Sequence, residues 1–341
     1  MNKRTYFILY IFLLFIGCAS IINSSKAGDI DKVKELLETG TDANEKDDDG
    51  WTPLMHSAMR GYDQIASLLI KFNANINHRS NMGDNALLIA VSYEKGELVN
   101  LLIDNKADVN DKNPRNGYTP ITIIAGKGNT EIGKLLIEKK ADINAKTSYG
   151  DTALTIAATK GYLEFTKLLI NNKADINART NDGDSALSLA CSRGNIEIVK
   201  LLLENKADIN LKANNGWTPL IYSVFYGYKD IAKILIENKA NVNAINQDGD
   251  SALLIAASKA NKEIVSLLIE NKAELNIRSK KSGQTALTIA SSKGNKEIVR
   301  ALVDNKADIN LQNGSGLTPL KLGKYYNHKE VVKILDDAGA K

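Results

Sequence analysis

Two cysteines and three histidines are the side chains of this 341-residue chain that could act as soft metal ligands or as a thiol nucleophile and its base. Their spacing does not suit either task. A structural metal site pairs its ligands two to five residues apart, whereas His56, His78 and His328 lie in separate parts of the chain. Cys191 has no neighbouring histidine to draw off its proton, so it reads as a packed thiol and not as a nucleophile. The run Glu45-Lys46-Asp47-Asp48-Asp49-Gly50 has the outline of a calcium loop. It lacks a leading aspartate, and His56 stands where the closing glutamate belongs. No group of acids and bases suggests general acid–base work. These residues point away from an enzyme and call for no cofactor and no metal.

The elements that would position any chemistry are periodic. Gly50, Gly83, Gly117, Gly150, Gly183, Gly216, Gly249, Gly283 and Gly316 recur every 33 or 34 residues, which rules out a phosphate-cradling glycine loop and marks a repeat array. Two residues after each glycine stands Thr, Ser or Asn, a helix N-cap. The next residue is Pro or Ala. Pro53, Pro120, Pro219 and Pro319 occupy that first helical position, where the missing N–H costs nothing. A short apolar helix follows and usually ends at a glycine such as Gly61 or Gly194. A second helix then carries apolar residues at helical spacing with Glu and Lys on its wet side, as in residues 197–204. A phrase such as Asn205-Lys206-Ala207-Asp208-Ile209-Asn210 leads to the next glycine turn.

With those residues in hand, the chain resembles an ankyrin-repeat protein, whose unit is a β-turn plus two helices. The match runs from about residue 19 to the end and implies an all-α solenoid of about ten helix-turn-helix units joined by β-hairpin fingers. An N-terminal capping unit is expected over 18–48 and a C-terminal one over 315–341. Two departures stand out. The family's His after Thr-Pro-Leu is replaced in every copy, by Met55, Leu88, Thr122, Thr155, Ser188, Ile221, Leu254, Thr288 and Lys321. The usual His-to-backbone bonding must therefore be weaker or replaced. The family's Gly before Ala-Asp-Ile-Asn is here Lys106, Lys140, Lys173, Lys206, Lys239, Lys272 or Lys306. A positive φ costs more on lysine than on glycine, so local strain is expected, partly offset by the helix dipole.

Residues 1–18 do not fit the repeat. Lys3 and Arg4 precede the unbroken apolar run Tyr6 to Ile16, too short to span a bilayer and suited to a signal-peptide core. The run ends in Phe15-Ile16-Gly17-Cys18, which resembles a bacterial lipoprotein signal with Phe in place of the usual Leu. That resemblance implies removal of 1–17, lipid on Cys18 and attachment to the cell envelope. Ala19 permits the outer membrane. Once Cys18 is lipidated, Cys191 has no disulfide partner within the chain.

The chain has 44 Lys+Arg against 40 Asp+Glu, and without Lys3 and Arg4 the balance is 42 against 40. Charges alternate along the second helices with no basic stripe, so nucleic acid is not an expected partner, and no small-molecule substrate is indicated. In the ankyrin family a protein partner commonly meets the finger tips and the concave face of the first helices. The matching positions carry aromatic residues in one unit above all: Trp217, Phe225 and Tyr226. Tyr325 and Tyr326 repeat the pair in the last unit, and Trp51, Tyr93, Tyr118 and Tyr149 are scattered. Trp and Tyr are common interface anchors. Tyr62, Tyr162 and Tyr228 stand where the family often has His and are read as structural. The expected role is therefore a membrane-anchored protein-binding scaffold. The alternative is an envelope spacer acting by self-association.

Overall fold

A computed structural model describes residues 20–341; the apolar run and Cys18 lie outside the described residues. Those residues form twenty helices in ten pairs. The first helix of each pair carries an odd number: α1 Ile21–Ala27, α3 Pro53–Arg60, α5 Ala86–Ser92, α7 Pro120–Ala125, α9 Ala153–Lys160, α11 Ala186–Arg193, α13 Pro219–Phe225, α15 Ala252–Ser258, α17 Ala286–Lys293 and α19 Pro319–Tyr325. The second helices are α2 Ile30–Glu38, α4 Asp63–Lys71, α6 Gly96–Asp104, α8 Thr130–Glu138, α10 Leu163–Asn171, α12 Ile196–Glu204, α14 Lys229–Glu237, α16 Lys262–Glu270, α18 Lys296–Asp304 and α20 Lys329–Asp337. The fold is thus the all-α repeat solenoid that the glycine period implies. Contacts divide it into two compact parts, one ending at Ala153 and the other running from Leu154 to Lys341. Within each part, first helices pack on first helices and second on second.

The first helices are buried nearly throughout, as in α11, where Ala186, Leu187, Ser188, Ala190 and Cys191 are all inside. The second helices bury one stripe, for example Ile198, Val199 and Leu202 in α12. That difference explains their compositions: small and β-branched residues fill the inner layer, and Glu and Lys coat the outer one.

The phrase between units has a use for each residue. The Asn205 side chain donates to the Leu201 carbonyl at 2.8 Å, meeting one of the orphan groups of the α12 C-terminus. Lys206 takes φ 66°, and the amides of Lys206 and Ala207 close onto the carbonyls of Leu203 and Leu202. This is the Schellman arrangement, with Ala207 buried beneath it. Asp208 Oδ1 accepts the amide of Asn210 at 2.9 Å. Asn210 Oδ1 then accepts the amide of Asn241, one unit on, at 2.8 Å. The same asparagine ladder joins Asn243 to Glu274 and Asn276 to Asp308. All seven lysines in the glycine position adopt φ between 62° and 74°.

The missing histidines are replaced. Thr122, Ser188 and Thr288 accept the amides of Thr119, Ser185 and Thr285 at 2.8, 3.0 and 2.8 Å and complete capping boxes. Bonds from one unit to the one before it come instead from the start of the second helix. Asn195 Nδ2 donates to the Ala158 carbonyl at 2.8 Å, and His328 Nε2 lies 3.0 Å from the Ser292 carbonyl. Tyr228 occupies the corresponding place against Gly194. A Cβ at Gly194 would meet the Tyr228 ring at 2.9 Å and its φ is 77°, so close approach and left-handed backbone both demand glycine there. The fingers are turns closed by single antiparallel contacts such as Ala213 N to Trp217 O. Bridges at Arg179–Ser185 and Ile245–Ser251 represent their sheet character.

Candidate functional site: an aromatic cluster on the inner face

Three of the aromatic residues singled out by sequence come together within residues 154–341. The finger places Trp217 one residue before the Thr218 cap of α13, and the end of that helix presents Phe225 and Tyr226. Trp217 and Phe225 ring centroids are 4.9 Å apart and edge-on, and Phe225 meets Tyr226 at 5.1 Å in the same manner. These are favourable edge-to-face geometries. Trp217 and Phe225 are half-buried against one another, while Tyr226 is 52% exposed. Lys259, from the following unit, holds its Nζ 3.8 Å from the centre of the Phe225 ring, a cation–π contact.

Two further rings extend the cluster. Tyr222 lies 4.9 Å from Trp217, and Tyr228 stacks on Tyr226 at 6.3 Å. Burial pushes the Tyr222 phenol up, and the charge and hydrogen bond of Asp184 add to the effect. Burial also raises the Asp184 carboxyl, which accepts from Ser188 Oγ at 3.0 Å. Tyr222 therefore ties the cluster to the preceding finger. A column comparison of the repeats contains the signal for it: the equivalent positions hold Ile89, Ile123, Leu189, Ile255 and Ile289, and only Tyr222 and His56 are polar and aromatic there.

His56 is the counterpart in residues 20–153. Its ring sits 5.1 Å from Trp51, and Nε2 lies 2.9 Å from Asp47 Oδ2. Asp47 also accepts from the Trp51 amide at 2.9 Å and from Lys26 at 3.2 Å. Burial pushes this carboxyl up, but the Trp51 amide, His56 and Lys26 outweigh burial and hold it below the usual 3.8. The calcium-like run is thus a finger whose aspartate is engaged by protein donors. Among the described residues no group of three or more His, Cys, Asp or Glu could hold a metal ion.

The other aromatics are dispersed or paired. Tyr325 and Tyr326 meet at 4.9 Å and are 76% and 51% exposed. Tyr326 stacks on His328 at 6.1 Å. In residues 20–153, Tyr93 and Tyr149 are exposed and Tyr118 is half-buried. Burial raises the Tyr118 phenol, with Asp151 and Tyr149 contributing. Cys191 is fully buried and its thiol is pushed far above the ordinary range. Grooves on the second-helix side, such as one of about 470 Å³ between Lys229, Lys262, Glu263, Glu270 and Glu297, are lined by solvated charges of both signs.

Comparison with known proteins agrees with this architecture. The family model described as ankyrin repeats (three copies) matches residues 21–113, 95–180, 174–246 and 253–341, and a second, described as ankyrin repeats (many copies), matches 224–269. Protein phosphatase 1 regulatory subunit 27 of Homo sapiens is 47% identical over 68 residues, 20% of this chain and 44% of that protein. Ankyrin repeat and SAM domain-containing protein 6 of Rattus norvegicus is 32% identical over 106 residues, 30% of this chain and 12% of the relative. The 2-5A-dependent ribonuclease of Mus musculus is 37% identical over 73 residues, 21% of this chain and 10% of that enzyme. The chain spans less than half the length of each of these relatives.

Proposed function

The chain belongs to the ankyrin-repeat family, whose repeats are protein-interaction modules, and from that premise we propose that it is a lipid-anchored bacterial envelope protein that binds a protein partner through its inner face. The observation that carries the binding site is the contiguous Trp217–Phe225–Tyr226 cluster, half-buried at its base and exposed at Tyr226. A rigid aromatic patch of this kind supplies large contact area at small entropic cost. Tyr325–Tyr326 is a second contact, and Trp51, Tyr93, Tyr118 and Tyr149 are peripheral ones. The relative named as a regulatory subunit of a phosphatase is in keeping with a binding role. The ribonuclease relative aligns with only 21% of this chain, so its activity is not carried over.

The anchor rests on sequence: a basic start, an apolar run of eleven residues and Cys18 directly before the first repeat. No helix among the described residues is long and apolar enough to cross a membrane. Cys18→Ser is expected to move the protein from the membrane to the soluble fraction. Protease treatment of intact cells, with lysed cells as control, then distinguishes the outer surface from the periplasm.

The binding site is tested with a photo-crosslinking residue at Ser258, beside the cluster, and another at Lys233 on the outer layer. An adduct with a partner is expected from the first position only, and the double change Phe225→Ala with Tyr226→Ala should abolish it while melting stays nearly unchanged. An adduct that persists in the double variant sinks the proposed site. An adduct of twice the chain's own mass would favour the spacer reading.

A further inference from the structure

We propose that the inner face of residues 154–341 takes an extended acidic polypeptide segment. Its carboxylates recur about every third residue, on both sides of one apolar side chain that lands on the Trp217–Phe225–Tyr226 cluster. This deepens the protein-binding role proposed above and rests on it.

The ends of the first helices carry a regular row of side chains. The residue just before the left-handed turn is Lys160, Arg193, Tyr226, Lys259, Lys293 and Tyr326 in successive units. The row therefore reads cation, cation, aromatic, cation, cation, aromatic, and all six residues are exposed. No ion pair among the described residues involves any of the four cations. The helices α9, α11, α13, α15, α17 and α19 contain no Asp or Glu at all. The six positions of the row lie 33 or 34 residues apart in the chain, so the linear sequence reads as having no basic stripe, and only stacking lines them up.

Dipole complementarity does not account for the row. A cation does favour a helix C-terminus, but the neighbouring second helices do the opposite. The helices α12, α14, α16, α18 and α20 end on Glu204, Glu237, Glu270, Asp304 and Asp337. Lysines of the second helices are also neutralised: Lys167 pairs with Glu164 at 2.7 Å, Lys200 with Glu197 at 2.9 Å and Lys296 with Glu330 at 2.7 Å. The four cations that end first helices thus have no acid on their own helices and no ion pair, whereas Lys324 within α19 pairs with Asp336 of α20 at 3.9 Å. Finger-tip acids Asp182 and Asp248 lie at the opposite end of the helices, about 10–12 Å away for helices of seven or eight residues at ~1.5 Å each.

Geometry then selects the ligand. Adjacent helices pack about 8–10 Å apart, and a chain extended in the polyproline-II form rises about 3.1 Å per residue with three residues per turn, so that every third side chain falls on one face. One unit of the stack therefore matches three residues of ligand. With a screening length of about 8 Å at physiological salt, each cation acts nearly on its own, so every matched carboxylate counts separately. Each strand of a DNA duplex carries a charge about every 3.4 Å of helix axis and would leave most of its phosphates unmatched by a row this sparse. The half-buried aromatic cluster at the middle of the row suits an aliphatic or aromatic side chain.

The test is fluorescence anisotropy of labelled peptides with the full chain carrying Cys18→Ser. The probe is an extended Ser/Thr peptide with glutamate at every third position and one leucine at its centre. It is expected to bind about tenfold more tightly than a peptide of the same composition with its glutamates contiguous, and to weaken as salt rises. Arg193→Glu with Lys293→Glu, both exposed, should weaken it by about tenfold or more. Thermal melting verifies that this variant folds. Equal binding of spaced and contiguous peptides, no binding of the spaced peptide, or tighter binding of an oligonucleotide of equal charge would each overturn the inference. If the Ser258 crosslink still depends on Phe225 and Tyr226 in those cases, the protein-binding role stands and only the acidic register falls. If that dependence is absent too, both fall.

Discussion

His56 shows how one buried side chain sets a pH limit on its surroundings. It is 6% exposed, its Nε2 faces Asp47, and its Nδ1 has no hydrogen-bond partner. Protonation would therefore place an N–H in the interior with no acceptor, at the cost of a lost hydrogen bond. Burial depresses the His56 pKa below its ordinary 6.5, with Asp47 acting against that and Lys26 and Arg60 adding to it. Between the depressed value and 6.5 the unfolded chain binds more protons than the native one, so stability falls as pH drops through that window. The denaturation midpoint of the N-terminal repeats should decline as pH falls below 6.5. His56→Gln, which keeps a donor for Asp47 and cannot titrate, should remove that component. An unchanged pH profile in the variant would show that His56 is not its source. Trp51 and His56 are adjacent rings on one finger and helix, so the pH component belongs to the same kind of Trp-plus-ring pair that builds the Trp217–Tyr222 contact.

At the scale of the element, the helix ends carry the local strain and the sequence announces it only in part. The first helices end in a left-handed residue that is usually glycine, but Glu94, Ala260 and Asn327 adopt φ 56°, 58° and 59°. An L-residue there costs about 1–2 kcal/mol, of which the greater unfolded-state freedom of glycine recovers ~0.4–1 kcal/mol for the non-glycine chain. Ala260 is exposed and makes no side-chain hydrogen bond, so Ala260→Gly should stabilise the chain by about 0.5–1 kcal/mol. Glycine two residues earlier, Ser258→Gly at the last residue of α15, removes the Ser258 Oγ bond to the Ile255 carbonyl at 2.9 Å and should destabilise it by a similar amount. Opposite shifts of the urea midpoints establish the point, and shifts of one sign would refute it. Helix starts, by contrast, are written plainly: Thr, Ser or Asn two residues after a finger glycine and just before Pro or Ala marks an N-cap. The capping boxes at Thr122, Ser188 and Thr288 and the Asn210-type ladder were harder to read. A hydroxyl at the third helical position or an asparagine in a loop has many uses, and only the apposition of neighbouring units selects one.

Across the whole molecule, periodicity made the fold legible, because a 33-residue repeat fixes which helices must be neighbours. The aromatic positions followed from the repeat register as well. What periodicity does not convey is how residues one unit apart add up: the ties of Tyr222 to Trp217 and Asp184, and the unpaired cation row. The same one-dimensional logic governs stability, since each pair of helices rests only on its neighbours. Cys191 reports it. The thiol is fully buried in α11 and its pKa is pushed far up, so a maleimide reaches the reactive thiolate only when that part of the stack opens. With Cys18→Ser, Cys191 is the chain's one remaining thiol. Leu202 of α12 and Leu335 of α20 are both fully buried, and truncating either to Ala should cost about 2–5 kcal/mol. Leu202→Ala weakens the unit that holds the thiol and should speed native-state labelling by more than about tenfold, since ~1.4 kcal/mol is a factor of ten. Leu335→Ala weakens the far end and should leave labelling within about twofold of the parent if opening is local. Equal acceleration by both changes would mean that residues 154–341 open as one cooperative block, with coupling between units stronger than the units themselves.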